Sequence, residues 1–212
     1  MTQARLRGLK VVVFALCLVP LGKLLLETFG VAGLSLGANP VEELLHRCGI
    51  WGLNFLLITL AVTPARQLTG WTWLTRFRRM LGLFAFFYVL LHFSVYLGLD
   101  QRFALGPVVE DVIERPYITI GFAALLILLA LAATSTRGMM RRLGRRWKAL
   151  HRWVYVAAIL GVWHYYWQVK LDTLDATLYA AALAMLLGFR AWRRFAGRRA
   201  SVQSRSGSAP GS

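Results

Sequence analysis

In 212 residues the chain is 58% hydrophobic with a mean hydropathy of +0.55, and its apolar residues fall in runs near twenty long; an ordinary soluble domain is excluded and an integral membrane protein is indicated. The formal net charge of +16 at pH 7 does not make nucleic acid a partner, because a basic surface for that purpose must face water and most of this chain has no such surface. Cys17 and Cys48 lie in apolar stretches without CxxC or CxxCH spacing, so neither a zinc site nor covalent haem attachment is indicated and they read as packing residues.

Six apolar segments follow one another, roughly 9–29, 44–62, 80–99, 117–133, 150–168 and 174–192, each within the ~17–25 residues of a helical span. No period-2 pattern suggests a barrel, so the expected fold is all-α, a six-transmembrane-helix bundle over residues 1–196. The first segment follows Arg5, Arg7 and Lys10 like a signal peptide, but no small-residue cleavage site stands out and it reads as a retained span. Pro64 and Pro116 are expected at helix boundaries, where proline is tolerated. Residues 197–212 form a basic, Ser- and Gly-rich tail that reads as disordered. No internal repeat is visible.

Nineteen of the 25 Lys and Arg residues collect at the N-terminus, in the second-to-third and fourth-to-fifth connections, and at the C-terminus. The acidic residues lie in or beside the alternate connections, Asp172 among them. The positive-inside rule then makes both termini cytoplasmic, and membrane lipids are the anionic partners of the basic loops. Trp71, Trp73, Trp147, Trp153, Trp163 and Trp167 sit near predicted helix ends, as interfacial aromatics do.

This topology gives each of the four histidines a depth. His92 is about thirteen residues into the third span and His164 about fourteen into the fifth, so both lie ~20 Å from the cytoplasmic end. Two level imidazoles on different helices can take the two axial positions of one iron porphyrin, or they can be polar glue between helices. His151, thirteen residues before His164, can hold a second haem nearer the cytoplasm, with Arg78 and Arg79 at the height of its propionates or iron; alternatively it is an interfacial histidine. His46, near the outer end of the second span, is a ligand, a propionate or quinone contact, or a helix-end residue.

The connection TRGMMRRLGRRWKALHRW suits a flavin nucleotide's phosphate, a docking reductase or anionic lipid. With no GxGxxG or Walker loop, nucleotide oxidation is expected in a partner. Acidic residues are absent from the inner halves of the spans, which argues against a carboxylate proton relay.

The runs EELLHRCG, ITLAVTPAR, RFRRMLGLFAF continuing to His92, ERPYITIGF and TSTRGMMRRLGRRWKALHRWVYVAAIL continuing to His164 resemble one family over residues 39–190. It is the MsrQ family, haem-binding membrane subunits of the bacterial periplasmic methionine sulfoxide reductase system. That family sits in the ferric-reductase-like transmembrane superfamily, which includes the NADPH oxidases. The resemblance implies a location in the bacterial inner membrane, heme b, one or two copies, and FMN. It implies electrons drawn from a cytoplasmic flavin reductase or from quinone and delivered to a periplasmic molybdopterin-containing methionine sulfoxide reductase, with no substrate-reducing site in this chain. It also implies His92 and His164 as the outer ligand pair and His151 as ligand of an inner site. The alternatives are a ferric reductase or quinol-linked cytochrome b with a small acceptor, and a cofactor-free transporter or membrane anchor.

Overall fold

Helix α1 (Gln3–Thr28) contains Pro20, and the turn around it is held open by a side chain from another helix. The hydroxyl of Tyr88 donates to the Cys17 carbonyl at 2.8 Å and accepts from the Leu21 amide at 3.1 Å. Those two backbone groups would pair with each other in an unbroken helix, so the phenol is threaded into the ladder. The structure, a computed structural model, describes residues 2–169 and 173–206, with side chains through residue 196 apart from that of Ala32. Asp172 and the tail residues 207–212 lie outside the described residues.

Helix α2 (Pro40–Thr69) starts with proline in its first turn, where the missing N–H costs nothing, followed by Glu42 and Glu43 at the positive end of the helix dipole. It ends on Gly70 at φ +75°, whose N–H caps the Arg66 carbonyl. Its 30 residues extend well beyond the expected 44–62, and Pro64 lies inside the helix rather than at its end. The helix runs through because the Leu60 carbonyl, which Pro64 cannot serve, receives the Arg190 guanidinium instead.

Helix α3 (Arg78–Val95) continues as a π-helical turn over Tyr96–Asp100. The connection that follows is not a plain loop. It forms the amphipathic helix α4 (Leu105–Glu114), which buries Val108 and Asp111 and exposes Leu105, Val109 and Ile113. Asp111 fastens it by accepting from the Tyr96 hydroxyl at 2.7 Å and pairing with Arg115 at 3.1 Å. Helix α5 (Pro116–Ala133) again opens on proline.

The arginine-rich connection folds into two short helices, α6 (Arg137–Leu143), capped by Thr136, and α7 (Arg145–Leu150). A 3₁₀ turn over His151–Trp153 then leads into α8 (Val154–Gln168). Helix α9 (Leu174–Ser206) keeps a helical backbone past Gly197, where the sequence turns polar.

Of the six expected spans, five are long and apolar enough to cross a membrane: α1, α2, α3 with its π-helical turn, α5 and α9. The sixth segment, α8, is a helix of 15 residues, because the 3₁₀ turn takes up the first part of the stretch. Helices α2, α3, α5 and α8 form a ring in which each packs on the next, most extensively α2 on α3 and α5 on α8. Helix α1 lies against α2 and α3, and α9 against α2 and α8. The buried core these helices share includes Leu53, Leu56, Ala85, Leu128, Ala157 and Ala158, with Tyr88 reaching from it to α1. Outward-facing apolar side chains such as Val11, Leu16, Leu178 and Met185 are more than half exposed, as on helices that meet hydrocarbon rather than water.

Candidate functional site

Helices α3 and α8 stand on opposite sides of the four-helix ring, and each turns one histidine inward. The His92 and His164 rings lie with their centres 6.2 Å apart and their planes at 78°. Each is held from behind in the same way. His92 Nδ1 is 2.7 Å from the Leu45 carbonyl on α2, and His164 Nδ1 is 2.7 Å from the Tyr117 carbonyl on α5. A carbonyl oxygen only accepts, so both Nδ1 atoms carry the proton and both Nε2 atoms keep a free lone pair. Nothing donates to either Nε2 among the described residues.

Close approach to the backbone needs glycine. A Cβ on Gly49, one turn after Leu45, would sit 3.1 Å from His92 Nδ1. One on Gly121, one turn after Tyr117, would sit 2.8 Å from His164 Nδ1. The hairpins α2–α3 and α5–α8 are thus built on one plan, with the bonded carbonyl 47 residues before its histidine in each, although no repeat is visible in the sequence.

This donor set fits an axial imidazole pair. Two metal–imidazole bonds of about 2 Å, each with ~1.1 Å from nitrogen to ring centre, come to roughly 6 Å between centres. The observed separation matches. A porphyrin iron asks the protein for only two ligands, whereas a bare ion needs more; among the described residues no group of three or more His, Cys, Asp or Glu is gathered for one. Backbone carbonyls behind ligating imidazoles fix the tautomer and ring orientation, the usual support of a metal-binding histidine.

Of the other predicted residues, only His46 lies near this pair, within electrostatic reach of His92. His151 stacks on Trp147 at 4.0 Å, and its Nε2 lies 3.2 Å from the Thr134 hydroxyl at the end of α5. That hydroxyl spends its hydrogen on the Ala130 carbonyl at 2.7 Å, so it accepts from His151 and leaves Nδ1 as that ring's free nitrogen. His46 is exposed, next to Leu45, with its ring 6.0 Å from that of Tyr165. Arg78 lines a cleft at the opposite end of the bundle from His46, and Arg79 is exposed.

Sequence reasoning passed over the residues that aim the imidazoles: Leu45, Gly49, Tyr117 and Gly121. The signal was in the runs EELLHRCG and PYITIG, where a glycine follows the bonded carbonyl by one turn. Arg190 was also passed over except as one of the C-terminal basic residues. It donates to the Leu60 carbonyl, the Thr63 hydroxyl at 3.1 Å and the Tyr155 hydroxyl at 2.6 Å.

Comparison with known proteins covers part of this site: the family match takes in Gly49, His92, Tyr117 and Gly121 but not Leu45 or His164. The "Ferric reductase like transmembrane component" family matches residues 48–162. A protein-methionine-sulfoxide reductase heme-binding subunit MsrQ of Xanthomonas oryzae pv. oryzae (strain MAFF 311018) is 53% identical over 169 residues, which cover 80% of this chain and 78% of the relative. One from Rhodospirillum rubrum is 53% identical over 184 residues, covering 85% of this chain and 86% of the relative. No solved structure matches the chain.

Proposed function

The chain belongs to the MsrQ family of ferric-reductase-like membrane proteins, and from that membership we propose that it is a heme b subunit carrying electrons outward to a periplasmic methionine sulfoxide reductase. The observation that supports this reading is the His92–His164 pair, with both Nδ1 atoms committed to backbone carbonyls and 6.2 Å between ring centres. Haem bound there would supply a one-electron carrier toward the outer side of the membrane.

The residues divide the work. His92 and His164 hold the iron; Leu45 and Tyr117 fix their tautomers, and Gly49 and Gly121 let the rings reach those carbonyls. His46, exposed one residue after Leu45, is assigned to a propionate or quinone contact. For a second, inner haem this chain offers His151, with Arg78 and Arg79 for its propionates. Ligation through Nε2 there requires the ring to leave Thr134. Both termini are cytoplasmic, with α8 as the sixth crossing, and the protein resides in the bacterial inner membrane. A cytoplasmic flavin reductase or the quinone pool supplies the electrons, FMN mediates, and the acceptor is a molybdopterin-containing subunit that reduces oxidised methionine.

The test is optical. The purified protein, oxidised and then reduced with dithionite, should give a b-type spectrum; His92→Ala and His164→Ala should each remove most of it in protein that still inserts. Unchanged spectra in both variants would refute the pairing. Reoxidation of the reduced protein by the periplasmic reductase, but not by ferric chelates, separates this reading from a ferric reductase.

A further inference from the structure

At the end of the bundle away from His46, an open cleft of about 710 Å³ lies between the end of α2, the starts of α3 and α8, and α9. Arg78, Arg190, Arg193 and Arg194 line it together with Thr63 and Tyr155, and no carboxylate does. The ion pairs of the described residues lie elsewhere, on Glu27, Glu43 and Asp111, so these four guanidinium groups converge without a counter-charge.

Water screens the exposed Arg193 and Arg194, whereas the partly buried Arg78 and the locked Arg190 feel each other's charge and favour an anion between them. The arrangement is also built rather than accidental. Arg190, Arg193 and Arg194 fall on one face of α9 by their spacing of three and four. Arg190 is locked by its bonds to α2 and to the Tyr155 hydroxyl, with its guanidinium 5.1 Å over the Tyr155 ring. Its Nε is buried and has no partner among the described residues. Arg193 and Arg194 remain exposed, available to close on a ligand.

We propose that this cleft is a binding site for a phosphoryl group. Several planar guanidinium forks match the three oxygens of a phosphate better than the two of a carboxylate, and the Thr63 hydroxyl adds a neutral donor. The ligand is a phosphate ester, either the headgroup of an anionic lipid or the phosphate of a soluble nucleotide. The site is independent of the His92–His164 pair, but it takes Arg78 from the propionates of an inner haem, so the two cannot share that residue; the cytoplasmic side it opens on and the choice of FMN as the nucleotide rest on the proposed function.

The experiment uses the full chain in nanodiscs. In one arm the discs are pure phosphatidylcholine and FMN is titrated in, read by flavin fluorescence. In the other the discs contain phosphatidylglycerol, and native mass spectrometry counts the molecules retained on release. Arg193→Gln/Arg194→Gln is compared with Arg141→Gln/Arg142→Gln in the basic connection, with circular dichroism to check that both fold. At least one probe should bind the wild type, weaken at least about tenfold in the α9 pair, and bind the α6 pair as before. FMN binding identifies a soluble source, phosphatidylglycerol retention a lipid one. The proposal is overturned if neither probe binds, if both pairs of substitutions weaken binding alike, if the α6 pair alone does so, or if the α9 pair loses haem absorbance while both probes still bind.

Discussion

Pro64 and Arg190, 126 positions apart in the chain, complete each other: the proline leaves the Leu60 carbonyl without its helical donor, and the arginine supplies one from α9. Leu60 is 2% exposed, so the side chain rather than water takes that role and lets α2 run through its own proline. Replacing Arg190 with methionine should destabilise the protein by about 1–3 kcal/mol, the cost of an unsatisfied buried polar group. Pro64→Ala restores the amide that α2 lacks, so in that background the same arginine change should cost measurably less. A double-mutant cycle by thermal unfolding in detergent checks this, and additive effects would show that the two positions are not coupled.

The two glycines behind the histidines should not tolerate alanine equally. At Gly121 the added methyl comes within 2.8 Å of His164 Nδ1, closer than real contacts allow, whereas at Gly49 the corresponding distance is 3.1 Å. Gly121→Ala should therefore push His164 off the Tyr117 carbonyl and lower haem content severely, and Gly49→Ala should do so partially. Haem per polypeptide, measured on membrane-inserted protein, gives the order; equal loss or the reverse order would contradict it.

Hydropathy was enough to find the helices that five of the six apolar segments form, since a lipid environment forces long runs to be helical. Boundaries were less legible. Pro64 reads as a stop because its own amide is missing, and only the tertiary donor from Arg190 turns the stop into a continuation. Likewise nothing local marks the 3₁₀ turn at His151–Trp153 that shortens α8, or the amphipathic helix α4 between the third and fourth apolar segments. For the histidines, counting residues along each span put His92 and His164 at one level, and the structure brings those two rings together. Their orientation depends on carbonyls 47 residues away, which no local pattern reveals. The same count set His151 at a different level but could not see Thr134, which comes from another helix.

Tyr88 is fully buried, and its hydroxyl separates Cys17 from Leu21 in α1. Tyr88→Phe removes the bridge and leaves a donor and an acceptor facing each other across a gap beside Pro20. If α1 cannot close that gap, the cost is about 1–3 kcal/mol and the helix loosens from α3. Hydrogen exchange should then quicken at Leu21 and its neighbours while the amides of α5 and α8 keep their protection. An unchanged exchange pattern would mean that the ladder simply re-forms without the phenol.

Glu27 is 8% exposed at the end of α1, where Arg47 of α2 pairs with it and also with Glu43 at 2.5 Å. Lys23 offers Glu27 only a long contact of 3.9 Å from a largely exposed side chain. A half-buried arginine shared by two carboxylates cannot be replaced by a distant lysine, so Arg47→Met should leave Glu27 as a buried charge and destabilise the protein by about 3 kcal/mol. Removing both charges with Glu27→Gln/Arg47→Met takes away the stranded carboxylate and should recover much of that loss. Because Arg47 sits two residues from Leu45, the single variant should also disturb the His92 bond, seen as a shift in the haem spectrum that the double variant reverses. A single variant as stable as the wild type would mean that Glu27 takes up a proton or finds water instead, and that the arginine does not hold the outer end of α2 against α1.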